Sequence, residues 1–566
     1  MLNFRPVQNF LPTSSDSLSR NAKIAWTLLI LATLYLCYFS HLGIVGFVGP
    51  DEPRYAWIAR AMADTGDWVT PRLYGQPWFE KPALYYWEAA LSFKIFGPSE
   101  TAARLPSAFS ALLGTLALAW LAWRMYGAQT ARWLLLLLPT SIGLLGFARA
   151  AATDMPFSAM LAIAMAAAAV VMDLDAKGKE NPSRHATNRW PALIVFGFFL
   201  GLAVLAKGPA GIVLCGGAVF FWALFTRRWH DAIRLLHPIA ITALCLTALP
   251  WYIVCARRNP DFFQVFIIEH NFKRYLTPEF QHIQPFWYYV PVVLVAFLPW
   301  SAALGWSAIV GAMRSRRTSR SISDTSLFLL SWALFCLLFF TISKSKLPGY
   351  VLPAFFPIAA LLARSFTSLA EEFRKSFAFT LFAFAVLLGG LGAIASNLRL
   401  QQPWAVAIAS LLFFLLAVAN SVLSCAFFCA PGTRARNILG GLSAAPILLT
   451  LLFLPKLLPN FLANQVSPRI LAAELEKRPA VAREVVTDTT IHRNTRYALS
   501  FYLHRELQEW NENQPSDWLL LSNRNRCAEL QSKELACESE ILYIPGGDYF
   551  LLHVTQPLAP AGRQLD

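Results

Sequence analysis

The stretch Val48-Gly49-Pro50-Asp51-Glu52-Pro53-Arg54-Tyr55 follows the first long apolar segment of a chain of 566 residues. It places carboxylates beside a guanidinium where a membrane protein normally needs only a short connection. Ionisable groups at the edge of a bilayer are costly and usually functional. This stretch therefore marks a site, and its side of the membrane follows from the rest of the sequence.

The composition places the chain in a membrane. Apolar residues make up 56% of it, charged residues only 14%, and its mean hydropathy is +0.47. A soluble protein of this length cannot bury so much apolar surface, so we predict that the bilayer is its solvent. Segments long enough to cross a bilayer recur about thirteen times. They lie near 24–46, 104–123, 130–148, 155–172, 191–206, 209–226, 233–254, 286–310, 327–342, 350–363, 377–396, 404–428 and 438–456.

The distribution of lysine and arginine predicts the orientation. With a cytoplasmic N-terminus, every inner connection is basic, as the positive-inside rule requires. The Arg/Ser run 314–323 is one of these connections and not a nucleic-acid patch. An odd number of spans sends the tail to the outer side, which is the periplasm in a Gram-negative cell. The first apolar segment lacks a small-residue cleavage site, so we expect a retained helix and not a signal peptide.

Together these features predict a polytopic α-helical membrane protein with a small soluble α/β domain at its end. The expected regions are a cytoplasmic segment at 1–23, a membrane domain at 24–459 and an outer domain at 460–566. The outer loops 47–103 and 257–285 are longer than connections need to be, which is typical of functional loops.

The first outer loop contains a helix signal. Asp51 can cap a short helix that Gly66 ends. An apolar stripe along it favours a helix that lies in the membrane interface, and a second such element is expected around 80–95. The stripe consists of Tyr55, Ile58, Ala59 and Met62.

The tail changes to a mixed polar composition. Ser467-Pro468 opens a helix to about 477, and short strands are expected at Val485–Val486, Trp518–Leu521 and Ile541–Ile544. Cys527 and Cys537 are the only cysteines in this tail. An oxidising compartment lets them pair, and two free thiols are the alternative.

The unusual polar side chains all fall on the outer side once the spans are counted. Lysine, arginine and tyrosine converging on one site hold a phosphate, and nearby carboxylates bind sugar hydroxyls or an amino group or act as a general base. Snorkelling of single bases and N-capping by Asp51 or Asp154 are the structural alternatives. The candidates are Asp51, Arg54, Tyr55, Glu80, Lys81, Asp154, Lys207, His270, Arg274, Lys344, Lys346 and Tyr350.

Several blocks in order over 47–360 carry a family resemblance. The Asp-Glu-Pro-Arg-Tyr segment is similar to the acidic motif of the GT-C glycosyltransferases. The later blocks resemble the aminoarabinose transferases that act on lipid A, which are related to protein O-mannosyltransferases. These blocks are Gly75-Gln-Pro-Trp-Phe-Glu-Lys-Pro82, Ala151-Ala-Thr-Asp-Met-Pro156, Ala206-Lys-Gly-Pro209, Glu269-His-Asn-Phe-Lys-Arg-Tyr275 and Ser345-Lys-Leu-Pro-Gly-Tyr350.

The resemblance implies a GT-C fold and a particular reaction. The donor would be undecaprenyl phosphate carrying 4-amino-4-deoxy-L-arabinose, and the acceptor a lipid A phosphate at the outer face of the inner membrane. Added positive charge on lipid A repels cationic peptides such as polymyxin. A monomer that contacts membrane lipids and no nucleic acid is expected. A protein hydroxyl or another glycan is the alternative acceptor. A transporter is disfavoured because the ionisable groups cluster at one edge and not at the midplane.

The expected roles follow from charge. Lys81, Arg274, Lys346 and Tyr350 would stabilise the leaving phosphate, with Arg54, Tyr55, Lys207 and Lys344 as further phosphate-binding groups. Asp51 would orient the acceptor or hold the sugar ammonium, a task shared with Glu80 and Asp154. An anionic acceptor needs no strong base, whereas a protein hydroxyl would need one, and Asp51 is then the natural choice.

A metal cofactor is not required by this scheme, because the bases can supply the electrostatic work. Glu80 with His270 is the candidate pair for a divalent ion such as Zn²⁺, and Asp51 or Asp154 could add a ligand. No acidic Asp-x-Asp cluster appears at these positions.

Overall fold

The structure is a computed structural model that describes most of the chain. The segment 1–18 lies outside the described residues, as does the predicted span 438–456 except for 448–449, and the predicted span 377–396 is described only in part. The described residues are 19–174, 189–277, 283–318, 322–368, 378, 381–383, 385–390, 392–393, 403–429, 448–449, 467–510, 516–533, 535–544 and 547–554.

Helices dominate the residues before the tail. In chain order they are α1 (Arg20–Tyr38), α2 (Asp51–Thr65), α3 (Leu84–Phe96), α4 (Glu100–Tyr126), α5 (Ala128–Thr140), α6 (Ile142–Ala148), α7 (Asp154–Val171), α8 (Trp190–Lys207), α9 (Ala210–Thr226), α10 (Trp229–Ile233), α11 (Pro238–Arg258), α12 (Arg274–Leu276), α13 (Tyr289–Ala296), α14 (Ser301–Thr318), α15 (Asp324–Ile342), α16 (Leu352–Ser368) and α17 (Pro403–Cys429).

Seven helices within the described ranges are long and apolar enough to cross a membrane: α1, α4, α7, α8, α11, α15 and the helix Pro348–Thr367, which contains most of α16. Counting each of two bent helix pairs as one span gives nine. Helix α7 lies at the centre of the bundle, since nearly all of its residues are buried. Its many alanines let the neighbouring helices approach closely, as small residues do in membrane proteins.

The predicted spans 130–148 and 286–310 are each interrupted by a sharp bend. Helices α5 and α6 meet at 68°, and α13 and α14 at 118°. Proline lacks a backbone N–H and interrupts a helix, and Pro139 and Pro299 lie at these breaks. The breaks face each other, because the Ile142 N–H donates to the Leu298 carbonyl at 3.0 Å. Backbone groups freed inside the bilayer are thus satisfied by a neighbouring helix.

The predicted outer loop 47–103 folds into α2, a short hairpin and α3. The hairpin pairs β1 (Arg72–Leu73) with β2 (Gln76–Pro77), and its turn places Tyr74 and Gly75 at positive φ. Helix α2 ends at Gly66 in the left-handed conformation, as predicted. The predicted cap is wrong, because Asp51 is the first helical residue and no side chain caps this helix.

The apolar stripe of α2 does not face lipid. Its four residues are buried against α3 and against the tail helix 493–502. The sequence showed an amphipathic helix correctly, but only the tertiary structure showed that protein and not the membrane interface covers its apolar face.

The second long outer loop contains a π-helix, Gln264–Lys273, which continues into α12. The π-helix packs on Gly208, where an added Cβ would lie 2.9 Å from the Phe266 ring. Gly208 has φ of 93°, so glycine is required there for both backbone conformation and close approach.

The described residues of the tail form four helices and a four-stranded sheet. The helices are α18 (Arg469–Glu476), α19 (Pro479–Glu484), α20 (Arg493–Tyr502) and α21 (Arg524–Ser532); the strands are β3 (Val486–Thr487), β4 (Ser516–Leu521), β5 (Ala536–Ile544) and β6 (Gly547–Val554). The sheet order is β3-β4-β6-β5, with only β3 and β4 parallel.

The tail agrees with most of the expected elements. The predicted helix after Ser467-Pro468 and the three predicted strands are present, whereas β6 was missed. Cys527 is a buried free thiol, and the Cys537 side chain lies outside the described residues.

Candidate functional site

Helix α2 positions the first acid and base of the site. Asp51 and Arg54 lie one turn apart, and Arg54 Nη2 donates to Asp51 Oδ1 at 2.7 Å. The Arg54 guanidinium lies 5.0 Å from the centre of the Tyr55 ring and 5.4 Å from that of Trp78. Aromatic faces attract such a cation. Arg54 is buried, while the Asp51 side chain is 56% exposed, so Asp51 is open to a ligand.

Glu80 lies among three bases. Its carboxylate is 3.1 Å from Arg54 Nη2, 3.2 Å from Arg274 Nη1 and 3.7 Å from Lys81 Nζ. These bases come from α2, from α12 and from the chain next to Glu80 itself. Glu80 therefore draws together two outer loops that are nearly 200 residues apart in the sequence.

The charges of this group shift its pKa values. Burial raises the pKa of Glu80, but Lys81, Arg54 and Arg274 more than offset that and lower it to about 2. Burial lowers the pKa of Lys81, Glu80 opposes this, and repulsion from Arg274 and Lys207 helps to leave it at about 8. Glu80 is thus a permanent anion, and Lys81 is a cation close to its titration range.

A second ion pair forms where α7 begins and α8 ends. Lys207 Nζ donates to Asp154 Oδ1 at 2.5 Å and lies 5.0 Å from the centre of the Tyr350 ring. Gly349 packs on this pair so closely that an added Cβ would be 2.8 Å from Asp154 Oδ1. The Asp154 carboxylate is thereby engaged with Lys207, and its side chain does not cap α7.

The two groups adjoin each other. The charge on Lys81 interacts with both Lys207 and Asp154, and Arg274 interacts with Tyr350. The combined site has four bases and three acids joined by ion pairs. Its formal charge is therefore positive, which suits an anionic ligand. The structure places most of the predicted site residues close together. They are Asp51, Glu80, Asp154, Arg54, Lys81, Lys207, Arg274, Tyr55 and Tyr350.

Lys344 and Lys346, in the connection between α15 and α16, have different surroundings. Lys346 is buried and its Nζ donates to the Ser343 carbonyl at 2.8 Å, within its own connection. The Lys344 side chain is exposed, and its backbone N–H donates to the Tyr275 carbonyl at 3.0 Å. No contact that the structure describes joins the Lys344 side chain to the site, so the structure does not support its grouping with the other phosphate-binding residues.

The candidate metal pair does not have the surroundings of a metal site. Both Glu80 oxygens face bases, at 3.1 and 3.2 Å. Burial, together with Lys81 and Arg274, lowers the pKa of His270, against the opposing charge of Glu80. Within the described ranges, no three His, Cys, Asp or Glu side chains are grouped as metal ligands. A divalent cation here would have to displace the bases, so these residues do not fit a metal ion.

Glu52 has a structural role that the sequence did not separate from that of Asp51. It forms a paired contact with Arg104 at 2.9 and 2.7 Å, and accepts from the backbone N–H groups of Val48 and Ala151, both at 2.8 Å. Arg104 also donates to three carbonyls of the segment 42–46. This buried group, the Glu52–Arg104 knot, fixes the start of α2. Of the two neighbouring acids, Glu52 therefore has a structural role and Asp51 belongs to the site.

Two further groups belong to the site. The Tyr86 hydroxyl and the Trp78 Nε1 are buried without a hydrogen-bond partner in the part of the chain that the structure describes. Burial and the negative charge of Glu80 raise the pKa of Tyr86, with smaller effects from Arg54 and Asp51, so this side chain lies near all three. A buried donor without a protein partner can be satisfied by water or by a ligand acceptor. Tyr86, in the first turn of α3, was missed because nothing in the local sequence separates it from Tyr85.

Comparisons with known proteins agree with this architecture. The family model of the dolichyl-phosphate-mannose-protein mannosyltransferases matches residues 24–266. ArnT from Cupriavidus metallidurans, solved bound to undecaprenyl phosphate, shares the fold with a TM-score of 0.77 at 22% identity. That similarity covers 95% of this chain and 100% of the other. The protein therefore has the GT-C membrane fold.

The sequence relatives identify the family. An undecaprenyl phosphate-alpha-4-amino-4-deoxy-L-arabinose arabinosyl transferase of Pseudomonas aeruginosa is 30% identical over 79% of this chain and 78% of the relative. One from Enterobacter sp. is 33% identical, and the match spans 61% of this chain and 60% of that relative's length. The chain belongs to this family of arabinosyl transferases.

Proposed function

We propose that the protein transfers 4-amino-4-deoxy-L-arabinose from undecaprenyl phosphate to a phosphate of lipid A. The observation that carries this proposal is the positively charged site in which Glu80 draws Arg54, Lys81 and Arg274 together beside the Asp154–Lys207 pair. Such a group of bases holds phosphate, and the apolar helices beneath it suit a lipid chain. The names of the sequence relatives support the sugar and its carrier.

The reaction exchanges one sugar–oxygen bond for another. The bond between the sugar C1 and the donor phosphate oxygen breaks, and its electron pair leaves with undecaprenyl phosphate. A lipid A phosphate oxygen forms the new bond to C1. The donor phosphate gains the negative charge that the acceptor phosphate loses, so no proton has to be removed. Lys81, Arg274 and Lys207 would stabilise the leaving phosphate, and Tyr350 would align Lys207.

The carboxylates would then bind and orient. Asp51 is the most exposed acid of the site, with one oxygen held by Arg54. It would hold the ammonium of the sugar or position the acceptor. Glu80 stays ionised across the physiological range because its pKa is lowered to about 2, so it would organise the bases and not transfer protons.

We place the site at the periplasmic face of the inner membrane, with thirteen spans, a cytoplasmic N-terminus and a periplasmic α/β tail. The positive-inside distribution supports this orientation. Modification of lipid A there would give resistance to polymyxin and other cationic peptides. We propose a monomer that needs no metal. Incubation with a chelator should leave turnover unchanged, and recovery of lost turnover by Zn²⁺ would contradict this.

The test is turnover by the purified protein supplied with the aminoarabinose donor and lipid A. Mass spectrometry should detect lipid A carrying the added amino-pentose, and cells lacking the protein should lose that mass difference. Protein acceptors are the second candidate, because the mannosyltransferase family model matches residues 24–266. If the assay yields a glycosylated polypeptide and unmodified lipid A, the acceptor is a protein and the lipid A proposal is wrong.

A further inference from the structure

The tail covers the segment that leads into the site. Phe47 is buried against Phe501 of α20, with ring centres 4.9 Å apart, and it stacks with Tyr502 at 5.9 Å. The Arg60 guanidinium, on α2, donates to the Phe501 carbonyl at 3.0 Å. The packing is so close at Gly46 that an added Cβ would lie 2.0 Å from Ser467 Oγ. The tail thus packs on the same short segment that delivers Asp51 and Arg54.

Glu100, the first residue of α4, joins the tail to that segment. Its Oε1 accepts from Arg469 Nε at 2.8 Å and from the Tyr502 hydroxyl at 2.9 Å. The same Tyr502 oxygen accepts the Phe47 N–H at 3.1 Å, and Arg469 Nη2 donates to the Gly43 carbonyl at 2.8 Å. Two tail side chains therefore bind both ends of the segment 43–47 while anchored on one carboxylate.

The opposite side of this segment is held by Arg104, one turn after Glu100 on α4. Arg104 binds the carbonyls of Leu42, Val45 and Gly46, and it pairs with Glu52 in the first turn of α2. The segment 42–52 is thus fixed from the membrane side by Arg104 and from the outer side by the tail. Asp51 and Arg54 have their positions set by both.

We infer that Tyr502 and Arg469 are positioning residues for the proposed transfer: the tail sets the place of Asp51 and Arg54 relative to the bases on the membrane helices. The inference rests on the proposed function for its kinetic consequence. Lys81, Arg274 and Lys207, the bases proposed to stabilise the leaving phosphate, all lie outside the segment 43–54, so the phosphate group of the donor keeps these ligands when the tail contacts are lost. The tail should therefore affect turnover more than donor binding.

The experiment uses the full chain with Tyr502→Phe and Arg469→Met, and Lys477→Met as the matched control. Lys477, just after α18, is an exposed tail lysine that pairs with Glu474 of that helix, so its removal leaves the docking contacts intact. Tyr502→Phe keeps the stacked ring and removes only the hydroxyl. Three measurements are made: kcat at saturating donor, the donor KM together with the Kd for undecaprenyl phosphate, and hydrogen exchange of the amides in 43–54.

We expect each docking variant to lower kcat by at least about three- to tenfold, because each removes two or more hydrogen bonds that involve the segment 43–47 and Glu100. The donor KM and the Kd should stay within about twofold, exchange in 43–54 should increase, and Arg469→Lys should recover part of kcat. The control should match the wild type.

Unchanged kcat and exchange would overturn the inference. So would a loss of kcat without faster exchange, or an equal loss in donor affinity, which would indicate general loosening. If the wild-type protein shows no turnover, the proposed function fails, while the exchange measurement still decides whether the tail fixes this segment.

Discussion

Two neighbouring residues of α2, Glu52 and Arg54, belong to two different buried groups of ionic side chains. The two groups differ in how completely their hydrogen-bonding atoms are paired. In the Glu52–Arg104 knot, both carboxylate oxygens accept a guanidinium and a backbone N–H, and Arg104 donates to three carbonyls. Around Glu80, three bases share one carboxylate, and Arg54 Nε has no partner within the described ranges. A saturated group holds a fold, whereas a group with surplus charge and unused donors binds a ligand.

The largest expected effect is on the saturated group. Arg104→Met leaves Glu52 buried and unpaired, which costs about 3–5 kcal/mol of stability. We expect little folded protein on size-exclusion chromatography in detergent. Lys533→Met, which removes an exposed ion pair with Glu529, should leave the unfolding midpoint nearly unchanged. A folded, active Arg104→Met protein would show that the knot is not what holds α2.

The next effect is on catalysis with the fold intact. Lys81→Met removes a base close to the expected leaving phosphate and should lower kcat about 10²- to 10³-fold. Lys344→Met is the matched control, because that lysine is exposed, and its kcat should stay within about threefold. Equal losses for both variants would mean that Lys344 reaches the substrate and that the site extends further along the connection to α16.

The pH profile of catalysis also distinguishes the two groups, because the group around Glu80 contains Lys81, whose pKa is lowered toward neutrality. The pKa of Lys81 is lowered to about 8, so its charge is present below that pH and lost above it. Since the charged form binds phosphate, kcat/KM should fall as pH rises through about 8. Lys81→Arg keeps the charge and should move this fall to higher pH. A profile that is the same in both proteins would exclude Lys81 as its origin.

The smallest effect separates two adjacent tyrosines. Tyr86→Phe removes a buried hydroxyl without a protein partner and should lower kcat/KM about two- to tenfold at unchanged stability. Tyr85→Phe removes a hydroxyl that donates to the Ala103 carbonyl at 2.9 Å. It should reduce the unfolding midpoint and leave kcat/KM nearly unchanged. The reverse pattern would place the ligand on the other face of α3.

Sequence patterns predicted the charged site better than they predicted the shapes of the membrane spans. Spacing and charge identified most of the residues that meet around Glu80 and Asp154, because ionisable groups in apolar surroundings stand out. The bends near Pro139 and Pro299 were not predicted, since a proline can kink a membrane helix or break it, depending on neighbouring helices. Strand β6 was missed even though Gly546-Gly547-Asp548 between apolar runs is a turn signal.

The sequence by itself determined that this chain is a membrane protein, and it predicted a set of bases at one edge of the membrane whose charge suits a phosphate. These conclusions depend on composition and on residue types, which need no geometry. Only the tertiary structure separated Asp51 from Glu52, placed Lys344 apart, assigned Tyr86 to the site and brought Tyr502 and Arg469 to the start of α2. Those assignments depend on contacts between residues up to 455 positions apart, and a one-dimensional pattern carries no distance between such residues.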